Sequence, residues 1–285
     1  MTIDKISFGD ITVYGLRDGY FYLDGGAMFG VVPKVLWEKI YAPDDQNRIK
    51  MGLNSFLVQT KQSLILIETG IGSGLDQKFS KFYSVERDPG LLGEIKNLGF
   101  HPEDIRYVIN SHLHFDHCGG NTHLDEHKKW TPTFPNAQYI VQRGEWEYAM
   151  EPCSRDKPSY MAQNFIPLEQ HGCVRLVDGN EQVTDGIQVI KAPGHTAHHQ
   201  CVKIYSGKRV LFFLGDMVPM SAHVGLSYVM SYDLFPLQTL ENKKKCFEQA
   251  IAEDWIVAFV HDAERYFGKI GKKKNKYFNI PDFEL

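Results

Sequence analysis

The run Asn110-Ser-His112-Leu-His114-Phe-Asp116-His117-Cys-Gly-Gly120 places four metal-competent side chains within six residues, directly after the apolar stretch Arg106–Ile109. Alternate residues of an extended chain point to one side, so His112 and His114 can face a single ion, while a turn after them redirects Asp116 and His117. Catalytic zinc takes about three protein ligands and keeps a position for water, so the run reads as parts of two adjacent metal shells. Crowding buried imidazoles and carboxylates without a cation would be costly. The chain must therefore fold so that a rigid strand end brings this run to a site that further donors also reach.

Those further donors also follow strand-like runs. His195 lies in Ala192-Pro-Gly-His195-Thr after Ile187–Ile190, Asp216 follows Val210–Gly215, and His261 follows Trp255–Val260. Each is weak evidence alone, because single histidines and Gly-Asp turns are common. A carboxylate can bridge two cations and offset their repulsion, which suits Asp216 better than an imidazole would. Imidazole with carboxylate favours zinc, iron, manganese or cobalt over calcium or magnesium.

With 285 residues, 43% hydrophobic and 23% charged, the chain can bury a sizeable core, and no repeat or Gly/Ser linker divides it, so residues 1–285 read as a single domain. Strand signals recur at Ile11–Leu16, Ser55–Gln59, Leu64–Glu68, Tyr107–Asn110, Tyr139–Gln142, Ile187–Ile190, Cys201–Tyr205, Val210–Leu214 and Ile256–Val260. Amphipathic segments fall at Gly90–Leu98, Gly144–Met150 and Leu237–Glu253, the last turning Leu240, Phe247, Ala250 and Ile251 inward. An α/β class follows, with two sheets packed face to face and helices outside. A formal charge of -4 and pI near 6.3 give no basic field for nucleic acid. The lysines at 243–245, 272–274 and 276 read as solvated helix or tail surface. No segment has the roughly 20 apolar residues of a membrane span, and MTIDKISFGDITVYG lacks a signal-peptide core. A soluble, cytoplasmic protein with no membrane partner is expected, its five cysteines unpaired and reduced.

Taken in chain order, HLHFDH with Gly119-Gly120, the Gly194-His195-Thr turn, the strand-ending Asp216 and the late His261 resemble the metallo-β-lactamase superfamily, specifically its dinuclear hydrolases, over about residues 53–262. Asp24–Lys34, Glu68–Gly72 and Tyr232–Pro236 are similar to segments of the YtnP-type quorum-quenching lactonases. The resemblance implies an αββα sandwich with two divalent metal ions, zinc foremost, at one edge of two mixed sheets. It assigns one ion to His112, His114 and His195 and the other to Asp116, His117 and His261, with Asp216 between them. It implies opening of a lactone, with N-acyl-homoserine lactones as the substrate class, by a water that the ions acidify, Asp116 passing a proton to the leaving group. Acyl-homoserine lactonases of this fold have an assisting tyrosine three residues after the bridging aspartate; here that position is Pro219, and His223 from the same loop is expected to serve instead.

Around the donors, Glu68 is placed to orient a metal-binding imidazole, and His198 and His199 to support the Gly194 turn. Cys118 reads as a small buried residue under the loop, with an extra thiolate ligand as the alternative. Phe29 and Tyr160 are candidates for an apolar acyl-chain pocket. The segment 18–41, rich in Gly and aromatics, would serve as a lid or as the arm of a homodimer. Two functions compete with a small-molecule lactone or ester hydrolase: a phosphotriester or phosphodiester hydrolase of the same fold, and a metal-binding protein without activity. The complete donor set opposes the second.

Overall fold

The computed structural model describes residues 4–283. The first half of the chain forms strands β1 Lys5–Phe8, β2 Ile11–Asp24, β3 Arg48–Gln59, β4 Leu64–Ile67, β5 Ile105–Ile109, a short hairpin of β6 Thr122–Leu124 and β7 Trp130–Pro132, then β8 Gln138–Gln142 and β9 Val174–Val177. Helices α1 Gly25–Phe29, α2 Lys34–Trp37, α3 Gln77–Phe82, α4 Leu91–Asn97, α5 Phe115–Cys118, α6 Arg143–Met150 and α7 Ile166–Gln170 lie between them. The second half forms β10 Glu181–Thr184, β11 Ile187–Lys191, β12 Gln200–Ser206, β13 Arg209–Phe213, α8 Pro236–Ala252, β14 Ile256–Ala258, β15 Phe267–Lys273 and β16 Lys276–Ile280. One sheet runs β1-β2-β3-β4-β5-β8-β9 and the other β10-β11-β12-β13-β14-β15-β16.

Period-two alternation makes these strands serve two layers at once. In β4, Ile65 and Ile67 point into the core between the sheets, and Leu64 and Leu66 point out beneath α4. In β13, Leu211 and Phe213 face the first sheet while Val210 and Phe212 face α8. Both faces of each sheet are thereby covered, giving the expected four layers, helix, sheet, sheet, helix. Strands β4, β5 and β8 are parallel to one another, β13 is parallel to β14, and β11 shares the direction of β13 because both are antiparallel to β12. The loops after β4 and β5, and those after β11, β13 and β14, therefore leave the same edge of their sheets.

Three expectations are corrected here. On α8 the buried residues are Thr239, Lys243, Phe247 and Ala250, so the inward stripe is rotated: Leu240 is half-buried and Ile251 exposed. Lys243 is not solvated; its Nζ donates to the carbonyls of His223, Gly225 and Tyr228 at 2.7, 2.9 and 2.7 Å, matching the three N–H donors of an ammonium. Lys272–Lys274 and Lys276 form the exposed tip of the β15–β16 hairpin, neither helix nor tail, where lysines blunt the end of an edge pair. The segment 18–41 divides: residues 18–24 complete β2, and 25–41 fold back over its end, burying Met28, Phe29 and Trp37 and exposing Val31, Val35, Leu36 and Ile40. Within β2 the register with β3 slips by one residue at Asp18, whose carboxylate turns inward to accept from the backbone of Ile71, Gly72 and Leu91. That bulge fixes the loop after β4. No helix among the described residues is long and apolar enough to cross a membrane.

Candidate metal centre and its cavity

The loop after β5 carries His112 and His114 in extended chain, and α5 then turns Asp116 and His117 back toward them. His195 arrives from the loop after β11, Asp216 from the turn after β13 and His261 from the segment after β14. The turn into Asp216 requires a glycine: Gly215 has φ +53°, and a Cβ there would lie 2.5 Å from His199 Nε2.

All seven donors converge. Their ligand atoms form overlapping groups, His112–His114–His195, Asp116–His117–His261 and His112–His117–Asp216, each with atoms within 4.8 Å of one another. His195 Nε2 lies 3.2 Å from His114 Nδ1, and His261 Nε2 lies 3.1 Å from His117 Nε2. Asp216 Oδ2 sits 3.2 Å from His195 Nε2 and 3.5 Å from His117 Nε2, and Oδ1 sits 3.3 Å from His261 Nε2, so this carboxylate faces both groups. Asp116 Oδ2 is 3.5 Å from His261 Nε2.

The residues fit two divalent cations. Nitrogens held about 2.0–2.1 Å from one tetrahedral ion lie about 3.4 Å apart, close to the separations found. His112 Nε2 is buried with no hydrogen-bond partner among the described residues, a lone pair that a bound cation would satisfy. At three of the five histidines the second ring nitrogen is held from behind. His112 Nδ1 meets Ser111 Oγ at 2.9 Å, His195 Nδ1 meets Asp233 Oδ1 at 2.9 Å, and His261 Nδ1 meets the Gly52 carbonyl at 2.9 Å. Protons on these nitrogens leave the Nε2 lone pairs free to bind metal.

Electrostatics favour the neutral ring at His112 and His114, whereas at His117 and His195 the neighbouring carboxylates overcome burial and raise the imidazole. Burial, then the neighbouring His117, hold His112 well below the usual imidazole range; burial, then His195, do the same to His114. Burial works against ionisation of Asp216, but His117, His195 and His261 outweigh it and hold its carboxyl well below the usual range. His117 is raised, burial being overcome by Asp216 and Asp116.

Glu68 follows β4 with φ 61°, a left-handed conformation that a non-glycine residue adopts at a cost. Its Oε1 accepts from Ser111 N at 2.8 Å and lies 3.7 Å from His117 Nδ1, too long for a hydrogen bond to that ring, so its direct hold is on the backbone beside His112. His199 Nε2 accepts the Asp216 N–H at 3.1 Å. Cys118 is buried, its thiol directed to the Leu113 carbonyl at 3.3 Å, as a space-filling residue under the loop.

Three sequence-based expectations do not match the structure. His223 is fully buried, its Nε2 on the Met28 carbonyl at 2.8 Å and its ring stacked on Phe29 at 4.8 Å, so it does not line the cavity. Its loop dives beneath α1, and burial pushes its pKa down to about 3. Phe29 is fully buried between Trp37 and His223, not in a substrate pocket. Tyr160 packs its ring edge on His114 at 4.8 Å and donates its hydroxyl to Glu145, supporting a ligand from outside the cavity. Sequence reasoning also missed two buried acids. Asp233, in the Tyr232–Pro236 segment, orients His195; Glu145 shares the inward face of α6 with Trp146 and Ala149, the one signal that could have marked it.

A cavity of about 260 Å³ opens onto the donors His114, Asp116, His195, Asp216 and His261. Its walls are Leu23, Met28, Met51, Phe115 and Met230, and its rim carries Tyr83, Arg155, Asp156, Ser159 and Tyr232. Arg155 Nη2 donates to the Ser231 carbonyl, tying the two sides of the rim.

A two-sheet sandwich with paired His/Asp donor groups at its edge defines a class, the metal-dependent hydrolases of this fold. The chain belongs to the metallo-beta-lactamase superfamily, whose sequence pattern matches residues 50–261. It is 35% identical over 191 residues to the N-acyl homoserine lactonase AttM of Agrobacterium fabrum, spanning 64% of this chain and 67% of that protein. Among solved structures it is similar to a probable metal-dependent hydrolase from Staphylococcus aureus, with TM-score 0.89, 31% identity and coverage of 98% of this chain and 100% of that one. It also shares its fold with AidC, a dizinc quorum-quenching lactonase solved with a product, at TM-score 0.81 and 22% identity, covering 99% and 97% of the two chains.

Proposed function

We propose that this chain is a dizinc lactonase that opens N-acyl-homoserine lactones. The observation that carries the reading is the convergence of seven donors, with Asp216 facing both groups, at the end of a cavity whose walls are largely apolar. We assign one zinc to His112, His114 and His195 and the other to Asp116, His117 and His261. Two bound cations acidify a water and polarise the lactone carbonyl.

The chain's own residues do the rest. Asp116 lines the cavity beside His261; as a carboxylate it would take the proton released by the attacking water and pass it to the departing ring oxygen. Met28, Met51, Met230 and Phe115 exclude water around the acyl chain, and methionine adapts to chains of different shape. The lactonase relative supports the substrate class, and the dizinc neighbour supports the metal. The five free thiols suit a reducing cytoplasm.

The test is a zinc-loaded assay of a lactone panel beside phosphotriesters, with His114→Ala and a chelated sample as controls. Lactone hydrolysis that falls by at least about 100-fold in both controls is expected, since removing a ligand removes the activated water. Activity confined to phosphotriesters overturns the lactonase reading; full activity in His114→Ala overturns the metal mechanism.

A further inference from the structure

Glu145 on α6 is 1% exposed and accepts three hydrogen bonds. Its Oε1 takes the Leu113 backbone N–H at 3.1 Å and the Tyr160 hydroxyl at 2.9 Å; its Oε2 takes the Thr196 hydroxyl at 2.7 Å. Each donor is tied to a ligand of the same group. Leu113 lies between His112 and His114, Thr196 follows His195, and the Tyr160 ring edge rests on His114. One carboxylate therefore clamps the two loops that carry His112, His114 and His195, with no hydrogen bond to any of the three imidazoles among the described residues. The Asp116–His117–His261 group is held by other parts: Glu68 beside His117, and the Gly52 carbonyl behind His261.

We propose that Glu145 is a positioning residue that sets the affinity of the metal position formed by His112, His114 and His195, and leaves the Asp116–His117–His261 position unchanged. This rests on the two-metal reading above. Without the carboxylate, a buried backbone N–H and two hydroxyls lose their acceptor, and the loops relax to new partners. Metal geometry tolerates about 0.5 Å of such drift, and outer partners of this kind are worth about 10–100-fold in metal affinity. Among the described residues Glu145 makes no hydrogen bond to Asp116, His117 or His261 or to the groups behind them, so the loss falls on the position it clamps.

The experiment is a zinc titration of metal-free protein against a chromophoric chelator, on wild type, Glu145→Gln, Glu145→Ala and the exposed helix neighbour Glu147→Ala, each first shown folded by thermal melting. Wild type and Glu147→Ala should show two binding steps. Glu145→Ala should keep one and weaken the other about 10–100-fold, with Glu145→Gln between, since glutamine keeps the volume and one acceptor oxygen. Added to His114→Ala, which disables the same position, Glu145→Ala should change the remaining step by less than about two-fold. Two unchanged steps in both Glu145 variants overturn the proposal, as does equal weakening of both steps, which marks general loosening. If Glu145→Ala does not fold, the isosteric Glu145→Gln decides alone. A single step in wild type overturns the two-metal reading itself, an outcome distinct from failure of the Glu145 role.

Discussion

Replacing His223 by phenylalanine separates a catalytic histidine from a buried one. The ring is fully buried, its Nε2 donates to the Met28 carbonyl, and its Nδ1 has no hydrogen-bond partner among the described residues. Burial, only partly offset by the Met28 bond, pushes its pKa down to about 3, whereas an unfolded histidine titrates near about 6.5. The folded pKa is depressed, so this group's contribution to stability is complete above about pH 6.5 and is lost as pH falls toward about 3. At pH 5 the unfolded chain gains about RT ln(1 + 10^1.5), or about 2 kcal/mol, from protonating this one ring, and the folded chain gains almost nothing. Phenylalanine keeps the stack on Phe29 and cannot titrate, but it leaves the Met28 carbonyl without its donor, a cost of about 1–3 kcal/mol. Urea unfolding followed by tryptophan fluorescence should show His223→Phe less stable than wild type at pH 8, with the gap closing by about 2 kcal/mol at pH 5. Loss of metal in acid affects both proteins alike and cancels in the difference. A gap that moves by less than about 0.5 kcal/mol between those pH values refutes the buried neutral ring. Lactone turnover at pH 8 should stay within about two-fold of wild type; a fall beyond about ten-fold, toward the roughly 10²–10⁴-fold usual for acid–base catalysis, would restore His223 to the reaction.

Two further substitutions probe the site. Asp233→Ala removes a charge-assisted bond to His195, worth about 1.5–3 kcal/mol or about 10–160-fold; zinc affinity and kcat/KM should fall by about 10–100-fold, and a change under about two-fold in both would detach Asp233 from the centre. Tyr232→Ala trims a rim residue that is already 39% exposed, so the fold should hold while KM for long acyl chains rises about 5–10-fold through about 1 kcal/mol of lost apolar contact. An equal rise for a chain-free lactone would place the effect at the metals instead.

The strands and the layer order were legible because alternation and apolar runs are local. The misreadings of the fold arose where a distant element decides what a residue meets. Lys243 looks like one of three solvated lysines until the loop carrying His223, Gly225 and Tyr228 closes over α8 and offers it three carbonyls. That cation on the inward face brings Thr239 and Lys243 in and turns Ile251 out, a rotation that hydrophobicity alone cannot show. The lysines of the β15–β16 hairpin carry a pattern that fits any exposed surface, and only strand pairing distinguishes a hairpin tip from a tail.

The site divides along the same line. The seven side chains that converge are histidines and acids gathered after β5, β11, β13 and β14, so their meeting could be read from the sequence. Their supports are chosen by position: His261 is held by the carbonyl of Gly52, His195 by Asp233, and His199 receives the backbone N–H of Asp216. A carbonyl can come from any residue, and an acid such as Asp233 gives no sign of which ring it will meet. The same logic explains the misplacement of His223, Phe29 and Tyr160. Residue type qualified each for the reaction or the pocket, but the aromatic stack of Trp37, Phe29 and His223 serves the core under α1, and Tyr160 serves Glu145. On the proposed lactonase reading, substrate selection falls to the cavity lining, where Met51, Met230 and Arg155 lie outside every motif and Met28 and Tyr232 lie inside segments that did not mark them as lining. If the chain is a lactonase, chain-length preference can vary among proteins that share all seven donors, because the donors would fix the chemistry and leave the wall free.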